Sequence, residues 1–183
     1  MKNLVAIVGM CGSGKSIASN YYEKKGYKKV YFGGVTMDKL KEANLEINPE
    51  NERMMREKLR NDYGMAAFAT LALPKIDELL MTNDFVLDGL YSWDELKVLK
   101  EKYPNIKVIA VIVDKTKRYE RLSNRVIRPF TNIEAMNRDI TEIENLAKGG
   151  PIAFADYYVL NNKDEEYFIN KLDEITKLIS EED

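Results

Sequence analysis

Residues Gly9-Met10-Cys11-Gly12-Ser13-Gly14-Lys15-Ser16 fit the spacing G-x-x-x-x-G-K-[ST]. The chemistry this spacing serves is the binding of a chain of phosphates. Glycines at 9, 12 and 14 let successive N–H groups curl around an anion with no Cβ in the way, and Ser13 completes the curl. Lys15 reaches the β- and γ-phosphates, Ser16 ligates Mg²⁺, and the helix that follows presents its positive end. Cys11 reads as a small loop residue, because one thiol has no resolving partner for redox work.

A carboxylate at the end of a neighbouring strand should hold the water shell of the Mg²⁺. Asp88 follows Phe85-Val86-Leu87 and precedes Gly89, and fits that place. Asp114 ends another apolar run and is the rival; for either, the plainer reading is a helix N-cap. Arg118, Arg121, Arg125, Arg128 and Arg138 are the second group with chemical potential. The first three share a helical face by spacing. One reading is a solvated basic face paired to Glu120 or Glu142. The other is a closing lid, whose arginines neutralise charge on a transferring phosphoryl group and whose closure excludes water. Arg128 favours the lid, since it sits in an irregular stretch with Pro129 where helix pairing does not apply.

These residues need elements to position them. Leu4 to Val8 is an unbroken apolar run ending at a glycine cluster, the pattern of a central parallel strand buried on both faces. A helix is predicted over Ser16 to Lys25, stopped by Gly26. A second strand follows over Lys29 to Phe32, broken by Gly33-Gly34, and then a helix from Val35 to Asn44. Asn48-Pro49-Glu50 opens a third helix, since Pro is preset for the first turn. Met65 to Met81 is a fourth, with Pro74 as a kink or break. Phe85 to Leu87 and Val108 to Val113 are strands, separated by an amphipathic helix over Trp93 to Lys102. Lys115 to Arg125 and Ile133 to Lys148 are helices around the irregular Arg128 to Asn132, and Gly149-Gly150-Pro151 ends the second. Tyr157 to Leu160 is a fifth strand and Glu165 to Ser180 a terminal helix, before a frayed acidic end over Glu181 to Asp183. This order predicts one α/β domain over residues 1–183, a five-stranded parallel sheet with helices on both faces. Met54, Met55, Met65 and Met81 read as core filler, and the Tyr21-Tyr22 and Tyr157-Tyr158 pairs as packing. Trp93 fits either a half-buried site or a cleft wall.

Composition narrows the function. The chain has 183 residues, and 28 basic against 30 acidic side chains give a net charge of −2. That balance argues against a long nucleic acid as partner. The absence of histidine excludes Ser–His–Asp and Cys–His catalysis and every His-based zinc site. One cysteine excludes an intramolecular disulfide. The opening apolar run is too short for a signal peptide or membrane span, and a cytoplasmic location is expected.

The chain resembles the P-loop nucleotide kinases, in particular dephospho-coenzyme A kinase and adenylate-kinase-like proteins of uncharacterised function. The likeness rests on the phosphate loop, the strand ending in Asp88-Gly89, Arg121-Leu122-x-x-Arg125, Arg138-Asp139, and Ala155-Asp156-Tyr157-Tyr158-Val159-Leu160-Asn161. It implies a nucleoside monophosphate kinase-like fold. Residues of about 35–82 would be a helical acceptor-binding region and about 118–150 an arginine-rich lid. Arg121 and Arg125 would lie near adenine and the phosphates, with Asn161 in a loop bordering adenine. Arg128 and Arg138 would clamp the transferring group, with Lys15 and Asp88 completing the catalytic set. Arg60, followed by Asp62-Tyr63-Gly64, is the candidate for holding an acceptor phosphate.

The chain also departs from the family. Gly34 stands where members often carry Asp, Met37 where adenylate-kinase-like members carry Arg, and Tyr91 near the place of another Arg. A hydroxyl acceptor such as dephospho-coenzyme A profits from a carboxylate base, and Asp38 is the substitute one turn on from position 34. A nucleoside monophosphate attacks through an oxygen already anionic and needs cations instead. The expectation is an ATP- and Mg²⁺-dependent kinase of a small nucleotide-like acceptor. Its alternative is an ATP-binding switch or ATPase module acting on a protein partner.

Overall fold

A computed structural model describes residues 2–181, so Glu182 and Asp183 of the expected acidic end lie outside the described residues. Strand β1, Leu4–Val8, is buried along its whole length. It lies between β3, Phe85–Asp88, and β4, Lys107–Ile112, both parallel to it. Strands β2, Lys28–Tyr31, and β5, Tyr157–Leu160, close the two edges, and the sheet order is β2-β3-β1-β4-β5. Alternation along β1 sends Ala6 and Val8 into one core and Val5 and Ile7 into the other. The second core is covered by α1, Lys15–Lys24, and α9, Glu165–Glu181. The first is covered by α2, Phe32–Glu42, α3, Pro49–Tyr63, α4, Ala67–Leu80, and α5, Trp93–Lys102. The chain leaves β1 toward β2 and β3 on one side and returns later to β4 on the other. The carboxyl end of β1 is therefore the crevice where a parallel sheet offers a ligand site.

The remaining helices frame that crevice. They are α6, Lys115–Ser123, α7, Asn132–Glu144, and the short α8, Gly149–Ala153. Local signals explain most boundaries. Asn48 caps α3 through its side chain, and capping boxes open α5 at Ser92 and α7 at Thr131.

Three expectations change. Gly33-Gly34 does not break the chain after β2, because α2 starts directly at Phe32 and runs through both glycines. Phe32, Thr36 and Leu40 recur on one buried face, and that packing outweighs the ~1 kcal/mol each glycine costs a helix. A Cβ on Gly33 would collide with the ring of Tyr31 where that ring now lies. Gly149-Gly150-Pro151 does not end a helix; it begins α8. Gly150 admits the indole of Trp93, which a Cβ would approach to 3.0 Å, and Trp93 meets Phe154 edge-on at 5.4 Å. Of the methionines read as core, Met55 is buried but Met54 and Met81 are 43% and 81% exposed. Pro74 leaves α4 continuous.

Candidate functional site

The loop after β1 wraps the N-terminus of α1. Gly9, Gly12 and Gly14 have φ of 147°, 83° and 98°, values in which an L side chain is strained. Two of them also have no room. A Cβ on Gly9 would sit 2.5 Å from the carbonyl oxygen of Val111, and one on Gly14 is blocked by the amide of Asn161. Lys15 curls over the loop and donates to the carbonyls of Gly9 and Met10 at 2.9 and 3.0 Å. Burial and the neighbouring ammonium of Lys148 push its pKa down to about 8. Ser13 Oγ is buried without a partner, and Ser16 is exposed at the first turn of α1. The first N–H groups of α1 have no intrahelical acceptor. A cation, free backbone donors and an orphaned hydroxyl on one loop make an anion cradle.

Asp88 ends β3 in register with Ile7, one residue before the end of β1. Its Oδ2 accepts from Ser19 of α1 at 3.0 Å. Asp114 stands at the N-terminus of α6, is exposed, and makes no side-chain cap bond.

Two residues far along the chain fix the loop. Arg118 is buried; Nη1 donates to the Cys11 carbonyl at 2.9 Å, and the guanidinium grips both oxygens of Asp139 at 2.9 and 2.6 Å. Its partner is thus Asp139 of α7, where a basic face paired to Glu120 or Glu142 was the sequence alternative. Asn161 Nδ2 donates to the carbonyl of Ser13 at 2.9 Å, and its own carbonyl accepts from Arg121 at 2.8 Å. Asn161 is 3% exposed, so the structure places it under the loop as a brace.

Glu142 is the hub on the α7 side. Arg138 donates to one oxygen at 2.9 Å and Lys148 to the other at 2.6 Å. Burial works against the charge of Glu142, and the ammonium of Lys148 overrides it, holding the carboxyl below the ordinary carboxylate range. Lys148 also lies 4.5 Å above the ring of Tyr91, whose phenol burial pushes upward. Arg138, Lys148 and Lys15 therefore converge beside the cradle.

On the α3 side, Arg60 stacks over Phe68 at 5.0 Å and its Nε is buried without a partner. Burial lowers its pKa, and Arg56 and Arg138 push the same way while Glu95 opposes. Glu95 is fully buried in α5; Oε2 accepts from the backbone N–H of Tyr91 and Ser92 at 2.7 and 2.9 Å, while Oε1 has no partner. Burial raises its pKa to about 7. Asp38 points to solvent on α2. Arg125 lies over Phe130 at 6.0 Å, and Arg128 is exposed with φ of 53°. These last three are not drawn into the cluster around Lys15.

A family model described as an AAA domain matches residues 5–138. The UPF0200 protein TK1334 of Thermococcus kodakarensis is 34% identical over 183 residues, 97% of each chain. The chain belongs to the AAA-domain family and to the UPF0200 proteins. Solved structures show the same fold at low identity. Shikimate kinase from Bacteroides thetaiotaomicron is 16% identical with a TM-score of 0.59, covering 96% of this chain and 98% of that one. Dephospho-CoA kinase from Campylobacter jejuni is 15% identical with a TM-score of 0.56, covering 97% of both. The fold of this UPF0200 protein is that of the P-loop kinases, with a five-stranded parallel sheet. No helix among the described residues is long and apolar enough to cross a membrane.

Lys148, Glu142, Glu95 and Ser19 were not singled out from the sequence as site residues. Glu142 carried a signal, four residues after Arg138 on one helix. Glu95 carried another, three residues after Ser92 in a capping box. Nothing local marked Lys148, which reaches Glu142 only because α7 ends in a turn through Ala147, a non-glycine residue with φ of 49°.

Proposed function

We propose that this UPF0200 protein is an ATP- and Mg²⁺-dependent kinase of a small nucleotide-like acceptor, a nucleoside monophosphate or dephospho-coenzyme A. The observation that carries this reading is the convergence of Lys15, Lys148 and Arg138 beside the cradle, with the buried Glu142 compensating them only in part. Phosphoryl transfer leaves the protein little covalent chemistry to perform and much charge to neutralise.

The roles follow from position. Gly9, Gly12, Ser13 and Gly14 offer backbone and hydroxyl donors to the phosphates. Lys15 exchanges its two carbonyl acceptors for phosphate oxygens. When bound, Mg²⁺ would supply charge neutralisation for the phosphates, and the hydroxyl of Ser16 at the start of α1 and the carboxylate of Asp88 at the end of β3 are the oxygen donors that would hold it. Arg138 steadies the transferring group. Residues 118–150 act as the lid, with Arg121 and Arg125 toward the base and Arg128 closing from solvent. Residues 35–82 receive the acceptor, with Arg60 on its phosphate and Asp38 and Tyr91 along its wall. Arg60 supports an anionic acceptor, since its free Nε and its arginine neighbours leave it short of negative charge.

The test is ADP release from Mg-ATP with a panel of nucleoside monophosphates, nucleosides and dephospho-coenzyme A. One compound should stimulate strongly, and Lys15→Ala should abolish the effect. If no compound stimulates while ATP still raises the melting temperature, the reading is wrong. A nucleotide-dependent switch acting on a protein partner then takes its place.

A further inference from the structure

Two tyrosines meet at the carboxyl ends of β2 and β3, and only one of them has its face covered. Tyr31 ends β2 in register with Asp88. Its ring folds back over Gly33, where a Cβ would collide with it, and reaches Gly89, where a Cβ would lie 3.5 Å from its edge. That same Cβ would lie 3.2 Å from the ring of Tyr91. A face of Tyr91 is taken by the ammonium of Lys148 at 4.5 Å. Tyr31 has no such cover: it rests on glycine and is 47% exposed. A ring bedded on glycine, with its other face open at the end of a parallel sheet where ligands collect, is a stacking platform.

Helix α3 runs past this platform and gives the cleft two unlike ends. At the first, burial raises the pKa of the Tyr31 phenol, Asp88 and Glu52 push the same way, and Arg56 opposes. The ring therefore lies between the end of β3 and α3. Glu52 and Arg56 pair with each other at 3.4 Å, which leaves this end of the cleft without a free cation. At the second, one turn along α3, Arg60 has a buried Nε with no partner and Arg138 as a neighbour. Four residues of helix separate the two ends by about 6 Å, a gap that one sugar ring bridges.

Resting on the kinase reading above, we infer that the phosphoryl acceptor has a flat ring at one end and an anionic group at the other. Tyr31 selects it by stacking on the ring, and Arg60 holds the anion. Ring-free sugar phosphates and hydroxy acids would leave the open face of Tyr31 in water and use half of the cleft. Stacking separates a ring from no ring and tolerates any base, because every base has a flat face.

Calorimetric titration of the full chain, with the phosphate loop filled by Mg²⁺ and a non-hydrolysable ATP analogue, tests this. The probes are AMP, GMP, CMP and UMP, with ribose 5-phosphate as the anion without a ring. At least one nucleotide should bind ~5-fold or more tighter than ribose 5-phosphate. Tyr31→Ala should erase that advantage and leave ribose 5-phosphate binding as it was, while Tyr31→Trp should preserve the advantage, since it keeps a flat face. Arg60→Met should weaken nucleotides and ribose 5-phosphate alike. Because Tyr31 is half exposed, both of its variants should keep the wild-type melting temperature.

Three results overturn the role of Tyr31. They are nucleotides that bind no tighter than ribose 5-phosphate, an advantage that survives Tyr31→Ala, and an equal loss of all probes in that variant. ADP release separates this outcome from failure of the kinase reading. A ring-free acceptor that stimulates release leaves the kinase intact and overturns selection by the ring. Nucleotide binding that depends on Tyr31, with no acceptor stimulating release, supports the platform and overturns the kinase.

Discussion

Lys148 donates to Glu142 at 2.6 Å, and neither side chain has more than 2% of its surface in water. The pair joins the end of α7 to the start of α8, and its second oxygen holds Arg138. Removing one member leaves the other charge buried without compensation, at a cost of about 3–5 kcal/mol. Glu142→Gln should therefore lower stability by that order in urea titrations. Glu142→Gln combined with Lys148→Met should recover a large part of it. Independent, additive losses in the two single variants would show that the pair is not coupled.

Lys15 titrates near 8 because burial and Lys148 disfavour its charge. A phosphate chain favours the charged form, so nucleotide binding raises its pKa and takes up a proton above pH 8. Affinity for Mg-ATP should be flat below pH 8 and then fall ~10-fold per unit of pH. Calorimetry in buffers of different ionisation enthalpy should show proton uptake at pH 9 and little at pH 7. A pH-independent affinity between 7 and 9 would remove Lys15 from the phosphates.

Glu95 is an acid whose folded pKa, about 7, stands above its ordinary value near 4.5. Between those values the folded state binds more protons than the unfolded state, so stability falls as pH rises through that window. The loss is complete above pH 7. Glu95→Gln keeps an oxygen for the N–H groups of Tyr91 and Ser92 and carries no charge. The variant should gain on the wild type as pH rises from 4.5 to 7, by on the order of 3 kcal/mol at most. Parallel melting curves for the two proteins across that range would contradict the assignment.

Asn161 braces the loop through the Ser13 carbonyl. Asn161→Ala should destabilise by about 1–3 kcal/mol and weaken nucleotide binding, because the loop loses its brace. Gly14→Ala meets two obstacles, a φ of 98° and the Asn161 amide in the place of its Cβ. Combining the two substitutions should cost less than their sum, since only the collision is relieved. A double-mutant cycle in urea checks the coupling.

Arg118 ties Cys11 to Asp139. Arg118→Lys keeps the charge but loses the bidentate grip. It should destabilise by about 2 kcal/mol or more and reduce the thermal shift produced by Mg-ATP. An unchanged shift would show that the loop holds its shape without α7.

The sequence by itself determined the central strand, the cradle and the order of the sheet's elements. Each is written in local signals: an apolar run with no polar partner to place, glycines where φ must be positive, and caps at Asn48, Ser92 and Thr131. Position 88 was also readable, because a residue at the end of a parallel strand next to β1 has one place to go. Tertiary structure decided what those signals leave open. Gly33-Gly34 became helix because Phe32, Thr36 and Leu40 anchor that face in the core. Arg118 and Arg138 share a basic segment, yet one is locked to Asp139 and the other to Glu142. Side chains that are distant in sequence compete for a few buried carboxylates, and only the packing of α6, α7 and α8 settles which cation reaches which oxygen. Lys148 shows this most plainly: a lysine at a helix end becomes a fully buried charge because the fold brings Glu142 and Tyr91 to it.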